Sequence, residues 1–192
     1  MNLIKFLMIV ACFMVSMLSL RWPVDGRDAR ILCVALGLTV VADFFMVIER
    51  NYEAGLLVFI CVQLAYNARY GGIKAGAALV LGAALFVFAR LVFGAEVLVG
   101  LAVVYAALFA FSLSAAARRF ADGAYPYPNN WLVMAGMISY AVCDIFVAVL
   151  NSGTAFAQEH ACVIVMVIWI FYIPGKFMLA LSGFKPRSVT TS

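Results

Sequence analysis

Seven long apolar runs limit this chain to one kind of architecture. Each run approaches the ~20 residues that a helix needs to cross a bilayer, and the runs do not alternate as the strands of an outer-membrane barrel do. Because lipid requires every backbone polar group to be satisfied within a spanning segment, the pattern predicts an all-α, polytopic membrane bundle. The predicted spans are Leu3–Leu20, Ala29–Ile48, Ala54–Arg69, Ile73–Phe93, Glu96–Ala116, Trp131–Leu150 and His160–Ser182.

The composition agrees with a membrane location and argues against other classes. Hydrophobic residues make up 67% of the chain and charged residues 11%, far from the balance of a soluble globular domain. The first run ends in Leu20-Arg21-Trp22-Pro23, which lacks the small residues of a signal-peptide cleavage site, so it is interpreted as a span. We therefore expect a single transmembrane domain over residues 1–184, a short cytoplasmic tail over 185–192, and a location in the cell membrane.

The net charge of +4 does not indicate nucleic-acid binding, because no stretch of the chain is a basic arm. The distribution of the basic residues instead predicts the orientation of the chain in the membrane. With seven spans, one side of the membrane holds nine basic residues and the other side holds three. By the positive-inside rule the first side is cytoplasmic, which predicts an outside N-terminus and an inside C-terminus. The nine are Arg21, Arg27, Arg30, Arg69, Lys74, Arg118, Arg119, Lys185 and Arg187, and the three are Lys5, Arg50 and Arg90.

Two carboxylates inside apolar runs, Asp43 and Asp144, are the strongest functional indication. An acid at mid-helix in a membrane costs about 2.5–3.5 kcal/mol on insertion scales, so it usually faces a bundle interior or a watery cavity. In the predicted topology both lie roughly 8 Å below the outer surface, at about 1.5 Å per residue. They could form an acid/base pair in a half-dry cavity. Alternatively, each could bond to a neighbouring helix through a hydroxyl or a basic group.

Other polar side chains fall at comparable or slightly greater depth, namely Gln63, Tyr66 and Tyr172. Lys176 follows Pro174-Gly175 in the last span, where it could pair with an acid or extend to the cytoplasmic surface. Its position inward of the aspartates favours the second interpretation. Lys5 lies near the outer end of the first span and could attract a lipid phosphate or anchor the helix at the interface.

Several short motifs occur in a fixed order along the chain. They are Ala42-Asp43, Tyr52-Glu53-Ala54-Gly55-Leu56-Leu57-Val58-Phe59, Gln63-Leu64-Ala65-Tyr66, Gly136, Cys143-Asp144, Tyr172-Ile173-Pro174-Gly175-Lys176 and Leu179-Ala180-Leu181-Ser182. Their order and spacing resemble the YhhN family of membrane proteins, which contains the lysoplasmalogenases. That family has Gly-Asp, Phe-x-x-Gly-x-x-x-Phe, His-x-x-Tyr, a second Asp motif, Tyr-x-x-x-Gln and a small-Leu-Ser tail. The resemblance covers most of the chain, and the family's usual additional N-terminal helix is not expected here.

The chain departs from the family pattern at several positions. Ala42 stands where the family prefers Gly, Phe6 follows Lys5 where the family has a Lys-Pro motif, Gln63 replaces His, and Lys176 replaces Gln. Both aspartates, Tyr66 and Tyr172 are retained.

The resemblance implies hydrolysis of the vinyl ether bond of lysoplasmalogens, which gives a fatty aldehyde and a glycerophospho-alcohol. Asp43 and Asp144 would be the catalytic acid and base, and the substrate-binding residues would be Lys5, Gln63, Tyr66, Tyr172 and Lys176. The expected partner is a membrane lipid or lysolipid, and no metal or organic cofactor is expected. The alternative, which Gln63 and Lys176 favour, is a non-catalytic protein that binds or transports a lipid or small amphiphile.

Overall fold

Helices make up nearly all of the computed structural model, which describes residues 2–186. Within that range the elements are α1 Asn2–Ser19, α2 Gly26–Asp43, a π-helical segment Phe44–Glu49, α3 Tyr52–Tyr70, α4 Ala75–Phe93, α5 Val97–Ala121, α6 Asn129–Leu150, α7 Ala155–Glu159 and α8 Ala161–Leu181. The predicted all-α class is confirmed. The last part of the predicted tail, from residue 187 onward, lies outside the described residues.

Among residues 2–186, five helices are long and apolar enough to cross a membrane, judged by length and composition. They are α2 with its π-helical segment, α4, α5, α6 and α8. Helix α1 is apolar but shorter, over Leu3–Ser19. Helix α3 is not among the five, because Glu53, Gln63, Asn67 and Arg69 lower its hydropathy. The structure therefore supports a membrane protein with five such helices.

Two connections differ from the prediction. Helix α5 continues to Ala121, so Arg118 and Arg119 lie in its last turn and the following loop begins only at Asp122. The alanines before these arginines have a high helix propensity, so the helix continues past them. The predicted span ended earlier because hydropathy falls at the arginines. The short α7 before α8 was also not predicted; Thr154 begins it by accepting a hydrogen bond from the backbone N–H of Ala157 at 3.3 Å.

Helices α6 and α8 approach each other at a pair of glycines. A Cβ added to Gly136 would lie 3.1 Å from the carbonyl oxygen of Gly175, and one added to Gly175 would lie 3.2 Å from that of Gly136. Because neither residue has a side chain, the two backbones pack directly, as small residues allow in membrane helices. The contact fixes the spacing of the two helices that carry Tyr140, Asp144, Tyr172 and Lys176.

A buried ion pair connects helices at the end of the bundle where α2 and α6 begin and α3 ends. Arg69 donates to both carboxylate oxygens of Asp28, at 2.9 and 2.8 Å, and also to the hydroxyl of Ser182 at 2.9 Å. The Tyr125 hydroxyl, in the α5–α6 loop, donates to Asp28 at 2.6 Å. Burial raises the pKa of Tyr125 above its usual range, so the phenol keeps the hydrogen that it donates. We call these four residues the Arg69 clasp.

Helix α4 lies at the edge of the bundle and packs mainly on α5. Ala78 is buried together with Val104 and Leu108 of α5, in a cluster that is separate from the main core. Contacts between α4 and α3 are few. A shallow groove therefore remains along α3.

Candidate functional site

Asp43 is the last residue of α2, immediately before the helix widens into the π-helical segment. Its side chain is only 4% exposed, and its Oδ2 accepts a hydrogen bond from the Tyr172 hydroxyl of α8 at 2.7 Å. Single π-helical turns occur frequently at functional sites, because the extra residue per turn re-aims nearby side chains. Asp43 is thus a buried carboxyl held by one phenol from another helix.

Asp144 is held in a similar way on α6. The Tyr105 hydroxyl of α5 donates to its Oδ2 at 2.7 Å, and the side chain is half-buried. The Tyr105 and Tyr140 hydroxyls lie 2.9 Å apart. Because a phenol has a single hydrogen, Tyr105 can donate to Asp144 and accept from Tyr140 at the same time. We call Asp43 with Tyr172, and Asp144 with Tyr105, the two tyrosine–acid pairs.

Lys176 lies inside the bundle and is 0% exposed. Its Nζ is 3.2 Å from the ring centroid of Tyr140, 5.2 Å from that of Tyr172 and 5.7 Å from that of Tyr66. These distances correspond to cation–π contacts with three rings, which we call the tyrosine cage. Neither the Lys176 Nζ nor the Tyr66 hydroxyl has a hydrogen-bond partner among residues 2–186.

The position of Lys176 corrects the interpretation favoured from the sequence. The side chain does not extend to the cytoplasmic surface, and among the described residues it forms no salt bridge with either aspartate. The physical reason is its place one helical turn after Tyr172, which puts both side chains on the face of α8 that points into the bundle. The four-residue spacing between Tyr172 and Lys176 therefore determines where the lysine side chain points, which its depth in the predicted span did not reveal.

The tyrosine cage joins the two pairs. The rings of Tyr140 and Tyr172 meet edge to face, with centroids 6.0 Å apart. Tyr172 donates to Asp43, and Tyr140 is bonded to the phenol that donates to Asp144. A path of direct contacts therefore connects the two carboxylates past the lysine.

Gln63 supports the Asp144 side of this network. It is 0% exposed, and its Oε1 accepts a hydrogen bond from the Ser112 hydroxyl at 2.8 Å. Its Nε2 lies 3.4 Å from the Tyr105 hydroxyl and 3.5 Å from the Tyr140 hydroxyl. The amide is thereby oriented with its donor group towards the two phenols.

Lys5 is placed apart from these residues, near the start of α1. Its Nζ is 4.5 Å from the centroid of the Trp169 ring, and Trp169 in turn contacts Tyr172 edge to face at 5.6 Å. The lysine is half-buried. The structure thus brings Gln63, Tyr66, Tyr172, Lys176 and both aspartates into one network, and leaves Lys5 at its margin, two aromatic rings from Asp43.

The site also contains three residues that were not predicted from the sequence, namely Tyr105, Tyr140 and Ser112. Tyr140 could have been found, because it precedes Asp144 by four residues and so shares its helix face, as Tyr172 does with Lys176. Tyr105 and Ser112 give no such signal, since each contacts the network from a helix without an acid of its own. In the described part of the chain, no three His, Cys, Asp or Glu side chains are grouped as metal ligands would be.

Comparison with known proteins gives one match. A family model described as the YhhN family matches residues 2–183, which is nearly the whole chain. No curated protein matches, and neither does any solved structure.

Proposed function

Because the chain belongs to the YhhN family, we propose that it is an integral-membrane hydrolase that cleaves the vinyl ether bond of lysoplasmalogen-type lysolipids. One observation supports the proposal: two carboxyl groups on candidate membrane spans are each held by a phenol at 2.7 Å, and a path of contacts joins them. Intramembrane acids of this kind usually mark a functional site.

The chemistry needs an acid, a base and water. The acid protonates the alkene carbon that lies away from the ether oxygen, which leaves an oxocarbenium-type cation on the carbon bonded to oxygen. Water adds to that carbon and loses a proton to the base, giving a hemiacetal. The hemiacetal then breaks its bond to the glycerol oxygen and releases a fatty aldehyde and the glycerophospho-alcohol.

Exposure suggests how the two aspartates divide this work. Asp144 is less deeply buried than Asp43, so it is proposed as the base that receives the proton of the incoming water. Asp43 is almost fully buried beside the aromatic rings, so it is proposed as the proton donor. The tyrosine hydroxyls orient both carboxyl groups, and the charge of Lys176 stabilises the carboxylate that remains after proton transfer.

The substrate is a lipid, so it is expected to enter from the bilayer in the proposed seven-span topology, with the N-terminus outside and the C-terminus inside the cell membrane. In that arrangement Lys5 lies at the outer end of α1 and would meet the lipid phosphate. Gln63, Tyr66, Tyr172 and Lys176 would line the buried end of the site.

The test is aldehyde release by the purified protein from a panel of lysolipids. We expect release from a vinyl ether lysolipid and none from the matching alkyl ether lysolipid, whose saturated chain offers no carbon to protonate. Asp43→Asn and Asp144→Asn should each lower the rate by 10²-fold or more, as loss of an acid/base group does. Asp122→Asn, at an exposed acid in the α5–α6 loop, is the matched control. Unchanged rates in both site variants would end the proposal.

A second candidate is a non-catalytic lipid-binding protein. The observation in its favour is that Lys176 fills the centre of the bundle and is fully buried. This alternative predicts that a vinyl ether lysolipid is retained intact by the protein, without aldehyde, and that the two Asp→Asn variants leave retention unchanged.

A further inference from the structure

Two concavities adjoin each other along the outer side of α3, away from the tyrosine cage. The first is an apolar groove of about 280 Å³ between α3, α4 and α5. It is lined mainly by Ile60, Leu64, Ala78, Gly82, Phe86 and Leu101. Leu64 follows Gln63 in the chain but faces this groove, whereas Gln63 faces the phenols of the network. The groove and the two tyrosine–acid pairs therefore lie on different faces of α3.

The second concavity, of about 270 Å³, lies where α3 ends and α4 begins. Leu64 lines it too, so the two concavities adjoin at this residue. Its lining includes the exposed side chains of Arg27 and Lys74, together with Gly71 and Gly72. Neither lining contains an acidic residue. The combined surface is therefore a wholly apolar groove with a basic mouth.

Two further features strengthen the positive charge of this mouth. A Cβ added to Gly71 would lie 3.3 Å from the guanidinium Nη2 of Arg119, so that cation borders the pocket. Helix α4 begins beside it without a side-chain cap at Lys74, which leaves its first backbone N–H groups free to face an anion. Asp28, which follows Arg27 in the chain, is buried and already paired with Arg69.

We propose that this surface binds an anionic phospholipid, with its phosphate at Arg27 and Lys74 and an acyl chain in the groove along α3 and α4. The surface and the ligand are complementary: the basic mouth would contact the phosphate, and the apolar groove would contact the acyl chain. Basic pockets between membrane helices are a known type of site for acidic head groups. Such a lipid would cover the face of α3 that α4 leaves open.

The site is independent of the proposed hydrolysis, because no residue of either lining belongs to the tyrosine–acid pairs. The two proposals can therefore fail separately. Retention of a diacyl phospholipid, which has no vinyl ether bond, reports on the groove alone.

The test is native mass spectrometry of delipidated protein with phosphatidylglycerol or with the zwitterionic phosphatidylcholine at equal concentration. We expect preferential retention of phosphatidylglycerol. Arg27→Gln combined with Lys74→Gln should weaken its binding by about tenfold or more, since the double variant removes two positive charges next to the acidic head group. Arg21→Gln combined with Lys185→Gln removes two exposed basic residues outside the pocket and should change nothing.

A second variant tests the groove itself. Ala83 lines the groove and is exposed, so Ala83→Phe should occupy the groove without disturbing the core, and phosphatidylglycerol retention should fall. Glycerol phosphate, which has the anion but no acyl chain, should not compete. Equal retention of both phospholipids, unchanged binding in the Arg27/Lys74 variant, or efficient competition by glycerol phosphate would overturn the proposal.

Discussion

The side-chain nitrogen of Lys176 lies 3.2 Å from the centroid of the Tyr140 ring, across the interface between α8 and α6. A cation over a ring in a desolvated site contributes about 2 kcal/mol. Tyr140→Leu should therefore lower the free energy of unfolding in detergent by more in the native chain than in a Lys176→Met background. The difference between the two losses, the coupling energy, should be about 1–2 kcal/mol.

Tyr140→Phe is the matched control for this double-mutant cycle, because it keeps the ring and removes only the hydroxyl. It should retain most of the coupling to Lys176. A coupling energy near zero for Tyr140→Leu would show that the ring does not stabilise the lysine.

The two tyrosine–acid pairs predict a kinetic effect. Tyr172→Phe and Tyr105→Phe each remove the hydroxyl that donates to a carboxyl group at 2.7 Å. The rate constant for aldehyde release at saturating lysolipid should fall about tenfold, which corresponds to about 1.4 kcal/mol, while KM stays close to its original value. Tyr127→Phe, at a loop position that is 77% exposed, is the control. An unchanged kcat in both pair variants would remove the positioning role of the phenols.

The Arg69 clasp predicts a large, non-additive stability effect. The Arg69 side chain is 0% exposed and that of Asp28 is 9% exposed, so Arg69→Gln leaves a buried carboxylate without its cation. Loss of one partner of a buried pair costs about 3–5 kcal/mol. Thermal unfolding in detergent should show this loss for Arg69→Gln, and the added Asp28→Asn should recover part of it. A double variant that is as unstable as the sum of the single variants would contradict a direct pair.

The glycine contact between α6 and α8 predicts a steric penalty. The methyl group of Gly136→Ala would meet Leu179 at 2.8 Å and the Gly175 carbonyl oxygen at 3.1 Å. Overpacking of this kind costs about 1–3 kcal/mol. Gly76→Ala is the control: it lies in α4 with nothing within 4 Å of the new Cβ, and it should be neutral or slightly stabilising. The measurement is the free energy of unfolding of the two variants, and equal values would contradict the close approach.

The proposed topology predicts which loops face the cytoplasm. In a background without native cysteines, Ala124→Cys in the α5–α6 loop should react with a membrane-impermeant maleimide only after the cells are opened. Ala95→Cys, between α4 and α5, should react in intact cells. The opposite pattern would reverse the orientation, and reaction of both in intact cells would contradict a single crossing of the membrane by α5.

Much of the helical arrangement could be predicted from the sequence, because apolar length alone identifies most of the runs and the cost of burying an acid singles out Asp43 and Asp144. The partners of these acids could not be predicted. A tyrosine within an apolar run is equally suited to the membrane interface and to the core, and only the rotation of α5 and α8 brings Tyr105 and Tyr172 to the carboxyl groups. The same rotation decides that Lys176 points inward.

The extension of α5 shows a second limit. Hydropathy marks where a chain leaves lipid, but a helix ends where its backbone loses hydrogen-bond partners, which for α5 is at Ala121, after Arg118 and Arg119. The Arg69 clasp was hidden for a related reason: Asp28 and Arg69 are far apart in sequence, and each by itself resembles an ordinary charged residue at a helix end.

The direct packing of Gly136 on Gly175 also restricts how a lipid can reach Asp144. Two helices in backbone contact form a sealed seam, and a hydrocarbon tail is too wide to pass through it at this level. Asp144 lies two helical turns further along α6, so a tail that reaches this carboxyl group must enter at another level of the bundle. Two residues without side chains therefore exclude one route by which a lipid tail could pass between α6 and α8.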